Sequence, residues 1–351
     1  MRSWFQGIFA LLLTIASPLL YAVQVHSIYQ AEIPVATQSD EDKLQAEQDA
    51  LAEVLIKISG NSHLLENNPN LSSNLKNADN FVEDYSYSTP AGAPKSARYL
   101  LFVRFDDESV NRLLHETGAP VWGLYRPLVL VWLALQTPNH AADIIDPATS
   151  DLPKLLKKTA KHRGLPVIFP MMDVTDLTHV SVNDISEQSI MHVQQASARY
   201  ASNAILVGKI TQNPNLFTSH WQLVLGTDHW SWDISGKTMQ DVMTSVVANV
   251  TDTFATHYGV LMSNTVQSQL TMIVVGVKQQ KDFVRLMKYI QHLAPVATVQ
   301  LKTITEDEVT LDVSLSGKRE AFMQTIALGK NLQPISVDKR AEGSLAYKWV
   351  Q

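Results

Sequence analysis

The spacing of apolar and polar residues predicts an α+β segment over residues 23–120. An alternating, β-branched stretch at 23–35 predicts a strand. A helix follows, with Ser39 as its cap and Gly60 as its stop. The apolar side chains that share one face of this helix at helical spacing are Leu44, Leu51, Val54, Leu55 and Ile58.

A hairpin is predicted after this helix. Tyr85 and Tyr87 alternate with polar residues, a turn-rich loop follows, and the sequence YLLFVRF then alternates again. Asp106 or Asp107 is predicted to cap a short helix that Gly118 stops.

Residues 121–262 predict an α/β domain. The run YRPLVLVWLAL at 125–135 is continuously apolar, as expected of a strand buried on both faces. Strands and helices then alternate, with LPVIFPMMD and AILVGKITQ as the next strands, so the sheet is predicted to be partly parallel. An antiparallel pair and a long helix ending at Gly259 complete the segment.

Residues 266–340 predict a third module. Its order is strand, helix, strand, strand, helix, strand, which is the ferredoxin-like βαββαβ pattern. The last strand is expected in LQPISV, at 332–337. The fold class is therefore predicted as α/β and α+β, in three small modules.

The first 22 residues and the composition indicate where the protein works. A positively charged N-terminal region at Arg2, followed by a short apolar run, predicts a cleavable signal peptide over residues 1–22. A retained membrane anchor is the alternative. The chain has 351 residues, no cysteine and a formal charge of −6. Absent cysteine excludes disulfides and thiolate chemistry, and the negative charge disfavours nucleic acid as a partner. We expect a periplasmic protein with no membrane span after cleavage.

The search for reactive groups finds one weak candidate site. Asp173, Asp176 and His179 form the densest acidic and histidine window, and Asp173 follows a predicted buried strand. Two interpretations remain: these side chains are of the kinds that bind a metal, and a solvated loop with turn-forming aspartates explains the pattern as well. No catalytic motif or phosphate-binding loop is found, so the sequence predicts no catalytic residue and no cofactor.

Aromatic residues are the other candidates for binding. Trp122 stands in the glycine-flanked GAPVWGLYRP and is predicted to be an exposed anchor. Trp230 and Trp232 share a strand face, where core packing competes with an exposed patch for a protein or glycan partner. Tyr85 and Tyr87 are predicted to form part of a docking surface.

The order of several motifs resembles a known family. Over residues 24–260 the chain resembles DUF2066, a family of exported gamma-proteobacterial proteins without an established function. The motifs that carry the resemblance are EIPVATQSDEDKLQAEQDALAEVLIKISGN, NFVEDYSY, LFVRFD, PVWGLYRPLVLVWLAL, RGLPVIFPMMD and ASARYASNAILVGKI. Because the family has no assigned activity, the resemblance implies no catalytic residues.

Two further similarities are more distant. The helix and strand at ASARYASNAILVGKI, with a glycine-containing turn placed at Gly208, are similar to the amino-terminal domain of TolB. The first segment is similar to a domain of the flagellar T-type assembly protein. These similarities imply assembly in the cell envelope.

Three functions therefore remain open from the sequence. The first is a non-enzymatic periplasmic binding or assembly factor with an envelope protein as partner. The others are a metal-dependent hydrolase and a peptidoglycan or glycan binder. The oligomeric state is left open.

Overall fold

A computed structural model describes residues 23–25, 27–186, 190–261, 268–329, 331–335 and 344–350. The predicted signal peptide, residues 1–22, lies outside these described residues. Helices and strands mix in several small sheets, which confirms the predicted α/β and α+β fold class. In this part of the chain no helix combines the length and apolar character needed to cross a bilayer.

The N-terminal sheet has three antiparallel strands in the order β2-β4-β3, and the predicted hairpin is its β3–β4 pair. The segment also contains 3₁₀ turns at Leu75–Phe81 and Lys95–Ala97. Its elements are β1 (Val23–Gln24), β2 (Gln30–Val35), α1 (Asp40–Ser59), α2 (Leu64–Asn67), α3 (Pro69–Asn74), β3 (Val82–Ser88), β4 (Tyr99–Phe105), α4 (Asp107–Glu116) and β5 (Pro120–Val121).

Helix α1 has the predicted caps and most of the predicted apolar face. The Ser39 side chain accepts a hydrogen bond from the Asp42 N–H at 3.2 Å, and Gly60 ends the helix in the left-handed region at φ 71°. Four of the five predicted residues are fully buried against the sheet: Leu51, Val54, Leu55 and Ile58. Leu44 is 41% exposed, so its predicted place on the buried face is wrong; that face begins two residues later, at Ala46.

The apolar run of the central sheet is buried on both faces at residues 129–134, as predicted. Its strand order is β12-β11-β10-β7-β8, with β9 paired to β7, and β7 runs parallel to β10. Its elements are β6 (Tyr125–Arg126), β7 (Val129–Thr137), β8 (His140–Ile144), α5 (Leu152–His162), β9 (Val167–Ile168), α6 (Val174–His179), α7 (Val182–Ser186), α8 (Ile190–Ser197), β10 (Ala204–Asn213), β11 (Leu216–Leu225), β12 (Asp228–Gly236), α9 (Met239–Tyr258) and β13 (Val260–Leu261).

Helices α5 and α9 cover one face of this sheet, and α7 and α8 cover the other. Two local predictions are corrected. The strand expected in LPVIFPMMD is only the two residues of β9, because Asp173 already caps α6. Gly208 lies inside β10 and not in a turn; a Cβ there would come within 2.2 Å of the Trp221 ring, so the glycine makes room for that side chain.

The C-terminal sheet departs from the predicted ferredoxin-like pattern. The strand next to β14 is β18, which runs parallel to it, and β17 lies outside β18 at the edge. The strand expected at 332–337 is therefore not the neighbour of β14, and the sheet extends past residue 340. Its elements are β14 (Ser268–Val275), α10 (Gln280–Gln291), β15 (Val296–Ile304), β16 (Glu308–Leu315), α11 (Arg319–Leu328), β17 (Leu332–Pro334) and β18 (Leu345–Trp349).

Backbone pairing crosses the first predicted domain boundary. β1 pairs with β6, and β5 pairs with β13, so the N-terminal segment and the central segment are joined by two short antiparallel ladders. The division into residues 23–120, 121–262 and 266–340 stays a prediction.

Arg126 lies at the junction of the N-terminal and central sheets. Its side chain is fully buried and donates to backbone carbonyl oxygens at the ends of two helices. The distances are 2.6 Å to Lys57 O in the last turn of α1, and 3.0 and 3.3 Å to Arg163 O and Gly164 O after α5. Terminal carbonyls have no partner inside their own helix. One guanidinium therefore satisfies the ends of α1 and α5 together.

Burial, and to a smaller extent the charge of Arg163, lower the pKa of Arg126 to about 9. The guanidinium carbon also lies 4.1 Å from the centre of the Trp122 ring, a cation–π contact. Arg126 therefore stays protonated at neutral pH and joins the two segments through backbone acceptors and an aromatic face.

Candidate functional site

The predicted exposed anchor Trp122 is buried. Only 1% of it is exposed, and its ring meets Phe254 of α9 edge to face, with centroids 5.9 Å apart. Its backbone N–H donates to Ile58 O at 2.8 Å. The expectation of an exposed Trp122 is therefore wrong, because its glycine-flanked loop runs through the junction between α1 and α9.

Trp230 and Trp232 are half-buried on β12. Trp232 lies opposite Trp221, and Trp230 lies opposite Leu223, so both indoles are on the face of the sheet that α9 covers. They contribute to the core and keep part of their surface at the sheet edge. Core packing and contact with a partner are thus both compatible with their position.

Tyr85 and Tyr87 lie at the edge of the N-terminal sheet. They are opposite Val103 and Leu101, which places them on the same face as α1. Tyr85 is 45% exposed, with Lys43 Nζ 4.4 Å from its ring centre, and its ring meets that of Tyr87 edge to face. Their role as a docking surface stays a prediction.

The acidic window at residues 173–179 forms a hydrogen-bonded cluster around an arginine. Arg199 donates to both carboxylate oxygens of Asp173 at 2.8 Å and to Asp176 at 3.4 Å. His179 takes no part, because its Nδ1 contacts Thr175 O at 2.7 Å. The two carboxylates are thus paired with a cation of the chain itself, and the described residues include no group of three acidic or histidine side chains suited to a metal.

Asp176 is the buried centre of this cluster, with 1% exposure. It accepts hydrogen bonds from the hydroxyl of Tyr200 and, at 3.0 Å, from the Met172 N–H. The Tyr200 oxygen in turn accepts from the Met171 N–H at 2.8 Å. Burial first, and the bond to Asp176 second, raise the pKa of Tyr200 to about 12, so it remains a donor at neutral pH.

The cluster also holds an unusual backbone conformation. Met172 has φ 55°, in the left-handed region that costs energy for a residue other than glycine. Its N–H is fixed by Asp176, and the next residue, Asp173, caps α6 by accepting from the Asp176 N–H at 3.0 Å. The arrangement therefore fixes the chain entering α6.

The Arg199 side chain, and then the Asp176 N–H, lower the pKa of Asp173 to about 2. A depressed folded pKa means that this interaction is complete above the usual aspartate value of about 4 and is lost as the pH falls through about 2. The cluster is therefore intact at any pH near neutrality.

Three exposed apolar side chains stand on this fixed segment, and we name them the α6 ridge: Met171, Val174 and Leu177. Their exposed fractions are 65%, 81% and 60%. Val174 and Leu177 are three residues apart on α6 and therefore lie on one side of it, and Met171 lies in the segment just before the helix. Met191, 63% exposed, is on the adjoining helix α8.

An exposed apolar surface on a segment fixed by buried polar groups is typical of a binding site. Single exposed apolar residues are common, but neighbouring ones of this exposure mark interaction surfaces. Methionine side chains suit such surfaces because they adapt to different partners. The α6 ridge was missed from the sequence because its apolar residues were assigned to a buried strand and a solvated loop.

A second concave region lies beside α10. Tyr125, Tyr289 and Trp349 form a chain of edge-to-face rings, with centroids 5.2 and 6.0 Å apart, and Arg285 and Lys288 stand at its rim. Basic side chains near a helix C-terminus are favoured by the helix dipole. The position of Lys288, in the last turn of α10, is therefore explained without a ligand.

Comparison with known proteins gives a match for the N-terminal third of the chain. Residues 22–123 match a family described as "Domain of unknown function (DUF8605)". A comparison with curated proteins gave no match. The resemblance to DUF2066 stays a prediction.

Two solved structures are similar to part of the chain. The C-terminal domain of LpoB from Salmonella enterica has 15% identity and a TM-score of 0.23, covering 36% of this chain and 92% of that one. Lipoprotein GNA1162 from Neisseria meningitidis has 16% identity and a TM-score of 0.24, covering 37% and 96%. TM-scores this low assign the chain to neither structure.

The cluster beneath the ridge gives a prediction. Replacing Tyr200 with phenylalanine removes the hydroxyl that joins Met171 to Asp176, and we expect the free energy of unfolding to fall by about 1 kcal/mol. Chemical denaturation measures the change. Tyr85→Phe is the control, since that tyrosine is 45% exposed and should change stability by less than about 0.5 kcal/mol. Equal effects of the two variants would show that the cluster does not fix this segment.

Proposed function

We propose that this chain is an exported, non-enzymatic binding or assembly factor of the cell envelope, and that a protein partner docks on the α6 ridge. The observation that carries the proposal is the ridge itself, three apolar side chains at 60–81% exposure on a segment fixed by Asp176, Arg199 and Tyr200. The partner that suits it presents an apolar face of its own, such as one side of an amphipathic helix.

Fixing the segment in advance favours binding. A surface that is ordered before contact loses less conformational entropy when a partner docks. The strained backbone at Met172 and the cap at Asp173 order the start of α6 without the partner. Each apolar side chain that becomes buried then contributes about 1.5–3 kcal/mol toward binding.

The exported location rests on the predicted signal peptide, the lack of cysteine and the resemblance to DUF2066 and to envelope assembly domains. The alternatives are less well supported. A hydrolase would need free carboxylates at Asp173 and Asp176, which pair with Arg199. A glycan binder would need accessible indole faces, and Trp122 offers none.

Copurification of the tagged chain from crosslinked envelopes tests the proposal. We expect a reproducible protein partner with the unsubstituted chain, and at least about a tenfold loss of that partner with Leu177→Asp, because a charge at a buried contact is costly. Val284→Asp is the matched control, since Val284 is an apolar residue of α10 with 46% exposure. A partner retained equally by both variants would place the contact elsewhere, and no partner at all would contradict the proposal.

A further inference from the structure

β12 is a free edge of the central sheet. It pairs with β11 alone, in unbroken register from Phe217 opposite Gly236 to Leu225 opposite Asp228. An edge strand with regular, unpaired backbone groups is a template for pairing with another chain. β12 is therefore suited to backbone pairing along its whole length.

The other long edges carry features that discourage such pairing. Register shifts interrupt β3, β8 and β15, and the prolines Pro34 and Pro334 lie in β2 and β17. Bulges and prolines are recognised means of protecting an edge. Apart from the two-residue strand β9, β12 is the edge of the multi-stranded sheets in the described residues that has neither feature.

We propose that a second copy of this chain pairs antiparallel with β12, about a two-fold axis at Ser231, so that the two central sheets become one. In this register Ser231 faces Ser231 of the second copy. Trp230 then lies opposite Trp232 of the second copy, and His229 lies opposite Asp233 of the second copy. The pairing is self-complementary in both aromatic and polar side chains.

The two faces of β12 explain why this register is favoured. On the side of α9, the half-buried Trp230 and Trp232 gain the indoles of the second copy as neighbours. On the other side, Asp233 is 87% exposed at its side chain and contacts His220 at 2.5 Å. The imidazole of His229 from the second copy would become its second partner. Opposite-charge and aromatic pairs directly across strands stabilise a sheet.

Neighbouring registers lose this complementarity. Moving the axis to Trp232 places His229 opposite Ser235 and Ser231 opposite Asp233. Moving it to Trp230 places Asp228 opposite Trp232 and His229 opposite Ser231. A register shifted by one residue would place side chains of the α9 face of one copy opposite side chains of the other face of the second copy. The axis at Ser231 is the one that joins imidazole to carboxylate.

Single cysteines test the pairing in the full chain, because its sequence contains no cysteine. Residues directly opposite one another have Cβ atoms about 4.5–5.5 Å apart, which is close to the spacing that a disulfide needs. Ser231→Cys should therefore form a disulfide-linked dimer under mild oxidation. Ser235→Cys is the control on the same strand and face, since its counterpart would lie eight positions away, roughly 27 Å.

We expect the Ser231→Cys dimer to form at least about tenfold faster than the Ser235→Cys dimer, because the paired strands raise the effective thiol concentration. A mixture of His229→Cys and Asp233→Cys should give mixed dimers, which fixes the register. Light scattering of the unsubstituted chain should show a dimer that Asp233→Lys weakens and that adding His229→Glu restores. Equal crosslinking at 231 and 235, or a monomer at every concentration, would overturn the proposal.

Discussion

Replacing Arg126 with methionine is expected to lower the free energy of unfolding by about 3–5 kcal/mol, because removing the single donor leaves several buried acceptors without a partner. The side chain donates to a carbonyl in the last turn of α1 and to one just after α5, and it lies over the Trp122 ring. Methionine fills much of the volume but donates no hydrogen bond. The loss therefore falls on the junction between the N-terminal and central sheets.

Chemical denaturation of Arg126→Met measures this loss. Arg104→Met is the matched control, because Arg104 has 43% side-chain exposure and pairs with Glu83 at the surface; such a pair contributes less than about 1 kcal/mol. In Arg126→Met, the N-terminal segment should also unfold in a transition separate from that of the rest of the chain. If the free energy of unfolding stayed within about 1 kcal/mol of that of the unsubstituted chain, water would be replacing the guanidinium as hydrogen-bond donor without cost.

Leu51→Asp is expected to unfold the N-terminal sheet and its helices. Leu51 is fully buried on α1, and placing an unpaired carboxylate there costs several kcal/mol. Leu44→Asp on the same helix is the control, because Leu44 is 41% exposed and its carboxylate would reach water.

Thermal melting followed by circular dichroism compares these two variants. Leu51→Asp should lose the helical signal of the N-terminal segment at a temperature where Leu44→Asp keeps it. Identical melting curves for both would show that the α1 face is assigned wrongly.

Local signals made the elements of the N-terminal segment predictable. The caps of α1 and α4, at Ser39 and Asp106, act within three residues of themselves. The hairpin β3–β4 likewise depends on alternation that is read directly from neighbouring residues. Such features need no knowledge of distant contacts.

Long-range packing decided what the sequence did not reveal. β18 is parallel to β14, although more than 70 positions separate them, and no local pattern marks that pairing. The glycines beside Trp122 suggested an exposed loop, whereas the ring fills the space between α1 and α9. Arg126 lies within the apolar run at 125–135, and that position was the one available sign of its burial.

The candidate site was hidden for the same reason. Asp173 and Arg199 are 26 residues apart, so the aspartate resembled a free ligand until its partner was located. Paired with Arg199, the carboxylates fix the segment that enters α6. Val174 and Leu177 are left facing solvent. A window that suggested metal chemistry thus becomes the support of an apolar surface.

Photocrosslinking in living cells tests the docking claim most directly. A photoreactive amino acid replaces Leu177 in one strain and Val284 in another, and adducts are detected after irradiation. We expect a discrete protein adduct at position 177 and none at position 284. No adduct at 177, or the same adducts at both positions, would contradict a partner docked on the α6 ridge.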